Sequence, residues 1–173
     1  MSDNIDILIA IDTDDLPQLS QDINNPTSGL NNFVYMIVKD SSAVSDQDGP
    51  ELTISANIGD NVRWRAESLS NNFEYSVMLY NFQATQDSET LLSTPTLVGG
   101  VKNDHPYTIN EIMGIQGPLP ISGTNISTPY SFMQSTVEAT GNVTYQWMFQ
   151  VNKTNDGSLV GYGIWDPFIK ISN

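Results

Sequence analysis

The sequence predicts an all-β protein: a single-domain antiparallel β-sandwich over residues 1–173, two packed sheets of about eight or more strands, with long loops and at most one short helix. Three observations predict it. Apolar and polar residues alternate with a period of two through most of the chain. Gly, Pro, Asn and Asp punctuate the alternating runs. No window of eleven or more residues carries a helical apolar stripe, which removes any strand–helix–strand rhythm.

Taken in order, residues 5–11 place Ile5, Ile7, Ile9 and Ile11 on one face, with Asp6, Leu8 and Ala10 on the other. Residues 33–38 are apolar on both faces, which predicts a central strand. In 52–58, Leu52, Ile54, Ala56 and Ile58 alternate with Thr53, Ser55 and Asn57. On 61–66, Val62, Trp64 and Ala66 face inward, Trp64 toward Trp147, while Arg63 and Arg65 face outward. Residues 73–82 put Phe73, Tyr75, Val77 and Leu79 on one side and Met78, Tyr80 and Phe82 on the other. The run 143–151 alternates Val143, Tyr145, Trp147, Phe149 and Val151 with polar residues and Met148. Residues 130–139, 159–165 and 167–171 are further strands, and a short helix fits near 107–113. The stretch 99–129, rich in Gly, Pro, Asn and Ser, reads as the longest irregular segment, where a sandwich carries function.

The totals exclude whole classes. No cysteine is present, which removes disulfides, thiolate nucleophiles and zinc–thiolate or iron–sulfur sites. Twenty acidic residues against six basic give a net charge of −14. That field repels phosphate backbones and anionic lipid, so neither nucleic acid nor membrane is an expected partner. The opening MSDNIDILIAIDTDDL has no basic leader, and Asp6 and Asp12 break its apolar run. The expectation is a cytoplasmic protein; release by a non-classical route would leave no trace in such a sequence.

Three blocks then arrive in a fixed order along nearly the whole chain: IDILIAIDT, IGDNVRWRAESLS followed by YSVMLY, and GYGIWDPFIKI. Together they resemble the bacterial inclusion-body protein family of the PixA/AidA type. The resemblance implies an abundantly made cytoplasmic protein with no known catalytic activity, often switched on late in growth by cell-density signals. Action by binding or by self-association as a homo-oligomer is expected beside it, because alternation leaves edge strands and neutral faces that can pair between identical subunits. Some members collect in intracellular inclusions.

Enzyme templates find little here. His105 is the lone histidine, and no Gly-x-Ser-x-Gly elbow, phosphate loop or His-Glu-x-x-His accompanies it. The GD-x-V-x-W pattern also occurs in copper sandwiches, whose two His and one Cys this chain lacks. A paired-carboxylate hydrolase stays as a third reading.

Calcium binding is the sharper alternative. Asp12, Asp14 and Asp15 cluster where the first strand ends, and Asp104 and Asp166 sit in later loops, oxygen donors of the kind calcium takes. No EF-hand spacing is present, so a site would be assembled from several loops. A carbohydrate completing that coordination makes a calcium-dependent lectin, with Asn103, Asp104 and His105 fixing the ring and Tyr107 or Trp165 covering its apolar face. The plainer readings stand beside these: a solvated acidic turn for Asp12–Asp15, and a strand anchor for Trp165. For Arg63 and Arg65 they are charge pairing on a sheet face or a subunit contact, against anion recognition.

Overall fold

The computed structural model describes residues 2–84, 90–104, 126–166 and 168–172. The chain forms two compact units, Met1–Thr96 with Met133–Asn173, and Leu97–Phe132. Eleven strands are formed among the described residues: β1 (Asn4–Ile11), β2 (Val34–Ile37), β3 (Ala43–Ser45), β4 (Leu52–Ser55), β5 (Asn61–Ser68), β6 (Tyr75–Ala84), β7 (Thr96–Asp104), β8 (Ile126–Thr136), β9 (Gly141–Lys153), β10 (Leu159–Trp165) and β11 (Phe168–Ser172). One 3-10 turn, Asn31–Phe33, precedes β2. The first sheet runs β2-β1-β5-β8-β7; the second runs β10-β9-β11-β4-β3, with β6 also on β9.

The alternation works as expected in the larger unit. Ile5, Ile7, Ile9 and Ile11 from β1 and Val62 and Trp64 from β5 are buried against Val143, Tyr145, Trp147, Phe149 and Val151 from β9. Trp64 meets Trp147 edge to face, with ring centroids 5.7 Å apart. Burying side chains of this size contributes roughly 1.5–3 kcal/mol each.

Several expectations need correction. The sheets are mixed rather than purely antiparallel: β1 runs parallel to β5, and β11 parallel to β4. A period of two is the same in either direction, so alternation cannot tell them apart. Residues 33–38 do not form a central strand, since β2 ends its sheet and pairs with β1. Its outer edge is covered by a loop, with the Met36 amide donating to the Gly49 carbonyl at 2.9 Å and the Asp48 amide to the Met36 carbonyl at 3.0 Å. β4 stops at Ser55, leaving Ile58 exposed in the next turn.

In β6 the register against β9 shifts between Leu79 and Asn81. That bulge reverses the phase, so Phe82 joins the inner face beside Trp147, Tyr145 and Trp64 instead of the outer one. Residues 99–104 belong to β7 rather than to an irregular segment. The glycine pair there has a packing reason: a Cβ on Gly100 would meet the Tyr130 phenol oxygen at 2.8 Å. The helix expected near 107–113 lies outside the described residues.

The GYGIW block is explained by close approach. Segment 19–30 crosses β10, bridging Ser20 to Tyr162 and Thr27 to Gly163. A side chain on Gly161 would run into Leu19 and the Ser20 carbonyl, and one on Gly163 into Phe149 and Leu30. From Gly161 onward, past a register shift after Leu159, β10 and then β11 follow β9 in one register, Trp165 opposite Trp147 and Phe168 opposite Thr144.

Candidate functional site

The turn before β5 builds a polar cleft at the head of the β1–β5 pair. Gly59 takes a φ of +95°, a conformation glycine adopts without strain. Asp60, 5% exposed, follows it. Its carboxylate accepts the Asn57 amide and the Asp3 amide, both at 2.8 Å. Those two backbone donors, Asn57 first, hold its carboxyl below the ordinary carboxylate value. This accounts for the GD-x-V-x-W pattern: glycine for the turn, aspartate for the amides, then Val62 and Trp64 into the core.

Around this turn opens a cleft of about 630 Å³, lined by Asp3, Asp6, Lys39, Ser41, Ser42, Ser55, Asn57, Asp60 and Arg63 among others. Arg63 stands in register with Asp6 on the neighbouring strand. Its Nη1 lies 3.8 Å from Asp6 Oδ1, and its Nε donates to Gln134 Oε1 at 2.8 Å. Arg65 Nε meets Glu67 Oε1 at 3.1 Å. Both arginines are therefore charge-paired on an outer sheet face. Pairs this exposed are each worth less than about 1 kcal/mol. The cleft offers hydroxyls, amides and charges of both signs, which suits hydrogen bonding to a small polar species.

The residues expected to bind calcium lie elsewhere. Asp12 leaves the far end of β1, its amide donating to the Phe33 carbonyl at 2.9 Å. Asp14 and Asp15 are exposed in the bend that follows, and Asp166 is exposed between β10 and β11. The length of β1, about 25 Å at strand rise, separates Asp12 from the cleft. Among the described residues, no three His, Asp or Glu side chains converge to hold a metal ion.

Of the carbohydrate set, His105 and Tyr107 lie outside the described residues. Asn103 and Asp104 fall on β7, with side chains outside the description. Trp165 is 1% exposed and packs on Phe149, centroids 6.1 Å apart. A ring so buried cannot cover a sugar, so it serves as the strand anchor. Sequence reasoning missed Asp60, Lys39 and Ser42 as neighbours. The signal available for Asp60 was the GD pair itself.

Comparison with known proteins follows this geometry. A family model described as inclusion body protein, PixA, matches residues 3–171. Among solved structures, the chain is similar to the crystal structure of an inclusion body protein of the PixA family from Burkholderia cenocepacia J2315. The TM-score is 0.77 at 21% identity, covering 99% of this chain and 97% of that one. No curated protein sequence matches. At 21% identity the solved structure speaks for the sandwich, and the family model, spanning nearly the whole length, speaks for descent. The chain belongs to the PixA family of inclusion body proteins.

Proposed function

We propose that this protein acts without catalysis, by self-association into homo-oligomers in the cytoplasm, held apart at neutral pH by its own charge. One observation carries the reading: large apolar side chains stand exposed on strands at the borders of the sheets. On β7 these are Leu97, 70% exposed, and Val101, 67% exposed; β3 adds Val44 and β6 adds Met78. Apolar groups on border strands favour pairing with another copy. The backbone of β2 is covered by Asp48–Gly49 and that of β10 by Ser20–Thr27, so association is channelled to other borders.

The net charge of −14 opposes it at pH 7. Protonating carboxylates toward the isoelectric point near 4.1 removes that repulsion. Production late in growth under cell-density control belongs to the same reading, because accumulation raises the concentration at which weak contacts condense. Sedimentation velocity over a concentration series tests it, with average mass rising as pH falls from about 7.5 to about 4.5. A single monomer mass at every concentration and pH would overturn the proposal. Following the protein through a growth curve tests the timing, and constant levels would remove that part.

A further inference from the structure

The β5–β6 connection holds a bulky aromatic out in solvent, and it does so rigidly. Phe73 is 85% exposed. Asn71 and Asn72 both take positive φ, 55° and 54°, and the Phe73 amide donates to the Ser70 carbonyl at 2.9 Å. That is the pattern of a type I′ turn, here leading from a strand of the first sheet to one of the second, and asparagine tolerates the left-handed region better than most residues. Buried Ser68 clamps the turn: its amide donates to Asn72 Oδ1 at 2.8 Å, and its hydroxyl donates to the Tyr75 carbonyl at 2.8 Å.

The β9–β10 turn lies alongside. The Thr154 amide donates to the Glu74 carbonyl at 2.9 Å, and the Thr154 hydroxyl to the Asn72 carbonyl at 3.3 Å. Phe73 is not among the side chains packed against the core, which leaves its ring available to a contact outside the molecule. Beside the ring, Tyr75, Lys153 and Asn155 join Phe73 and Glu74 around a shallow recess of about 360 Å³.

We infer that this tip is the first contact between two copies of the chain, related by a two-fold axis, each Phe73 entering the other's recess. The inference rests on the self-association reading and names its surface. Charge decides the occupant. With 20 acidic residues against 6 basic, most surfaces of two copies meet carboxylate to carboxylate. This tip carries Lys153 and Glu74 on one recess, with Asp156 of the β9–β10 turn near enough to Lys153 to interact with its charge. A two-fold contact sets Glu74 of one copy against Lys153 of the other, the self-complementary arrangement an isologous interface requires. The hydrogen-bonded turn fixes the backbone that carries the ring, which lowers the ordering cost of docking. One knob a side stays well below the roughly 1,000 Å² of a stable interface, so the pair is weak and forms at high concentration.

Sedimentation velocity on F73S, E74K, K153E and the double swap E74K/K153E tests this, with I58S in the turn after β4 as the control. F73S weakens dimerisation about tenfold or more, as losing a central aromatic anchor does. E74K and K153E each weaken it, the double swap restores it, and I58S leaves the dimer step unchanged. Because Phe73 is so exposed, F73S keeps the wild-type thermal midpoint, which checks folding. Association of F73S equal to wild type, or a double swap no better than its singles, overturns the tip contact and leaves self-association standing. A wild-type protein that never associates overturns both.

Discussion

Trp64 and Tyr145 pack edge to face across the two sheets at 6.0 Å, and the indole N–H and phenol O–H, both buried, find no well-formed hydrogen-bond partner among the described residues. Replacing Tyr145 by Phe removes a polar group with no partner to lose. Tyr145→Phe should change unfolding free energy by less than about 0.5 kcal/mol, whereas Trp64→Ala should cost about 3–5 kcal/mol. Urea denaturation of both variants checks the contrast.

Burial pushes the Tyr145 phenol far above its ordinary value of 10.0, with the nearby Trp64 indole opposing it in part. The unfolded chain ionises there near pH 10, while the folded one keeps the proton, so stability is intact below pH 10 and lost above it. The loss is about 1.4 kcal/mol per pH unit. Tyr145→Phe escapes that loss. The two proteins should match at pH 9, with the variant ahead at pH 11.

Asp60 titrates with the opposite sign. Its folded value lies below 3.8, so its contribution is present above that value and disappears as pH falls through the lowered one. Asp60→Ala leaves the Asn57 and Asp3 amides without their acceptor and should cost roughly 2–3 kcal/mol at pH 7. The gap to wild type should close toward pH 2. Thermal melts from pH 7 to 2 measure it; a constant gap would refute the assignment.

Gly163→Ala forces a methyl into Phe149 and Leu30. Both belong to the packed core, so the clash should cost about 3 kcal/mol or more. Gly59→Ala, with open space around it, pays only for its positive φ, about 1 kcal/mol. Guanidinium midpoints of the two variants rank them.

How much of this could be read beforehand follows from what alternation encodes. β1 and β9 were legible because each inward position is a large apolar residue with polar neighbours, and burial follows pattern directly. β2 misled because its outer edge is covered by a loop from distant residues, which lets an end strand be apolar throughout. One inserted residue at Tyr80 moved Phe82 to the core, a shift no periodicity reports. Gly99 and Gly100 look like a loop until Tyr130 is seen lying over the second of them. The cleft was least legible, since Asp60 is one of 20 acidic residues and only its amide partners set it apart. The Asn71–Asn72 pair was a local turn signal that could have been weighed.

β11 comes last in the chain yet lies between β9 and β4 in the second sheet. Until Phe168–Ser172 has left the ribosome, β4 has no neighbour on that side and the sheet stays split. β3 and β4, made earlier, must wait for it, open to their counterparts on adjacent nascent chains. Heavy expression of such a topology gives crowded polysomes a route to aggregate before folding ends, and trimming the last strand should turn soluble product into sediment.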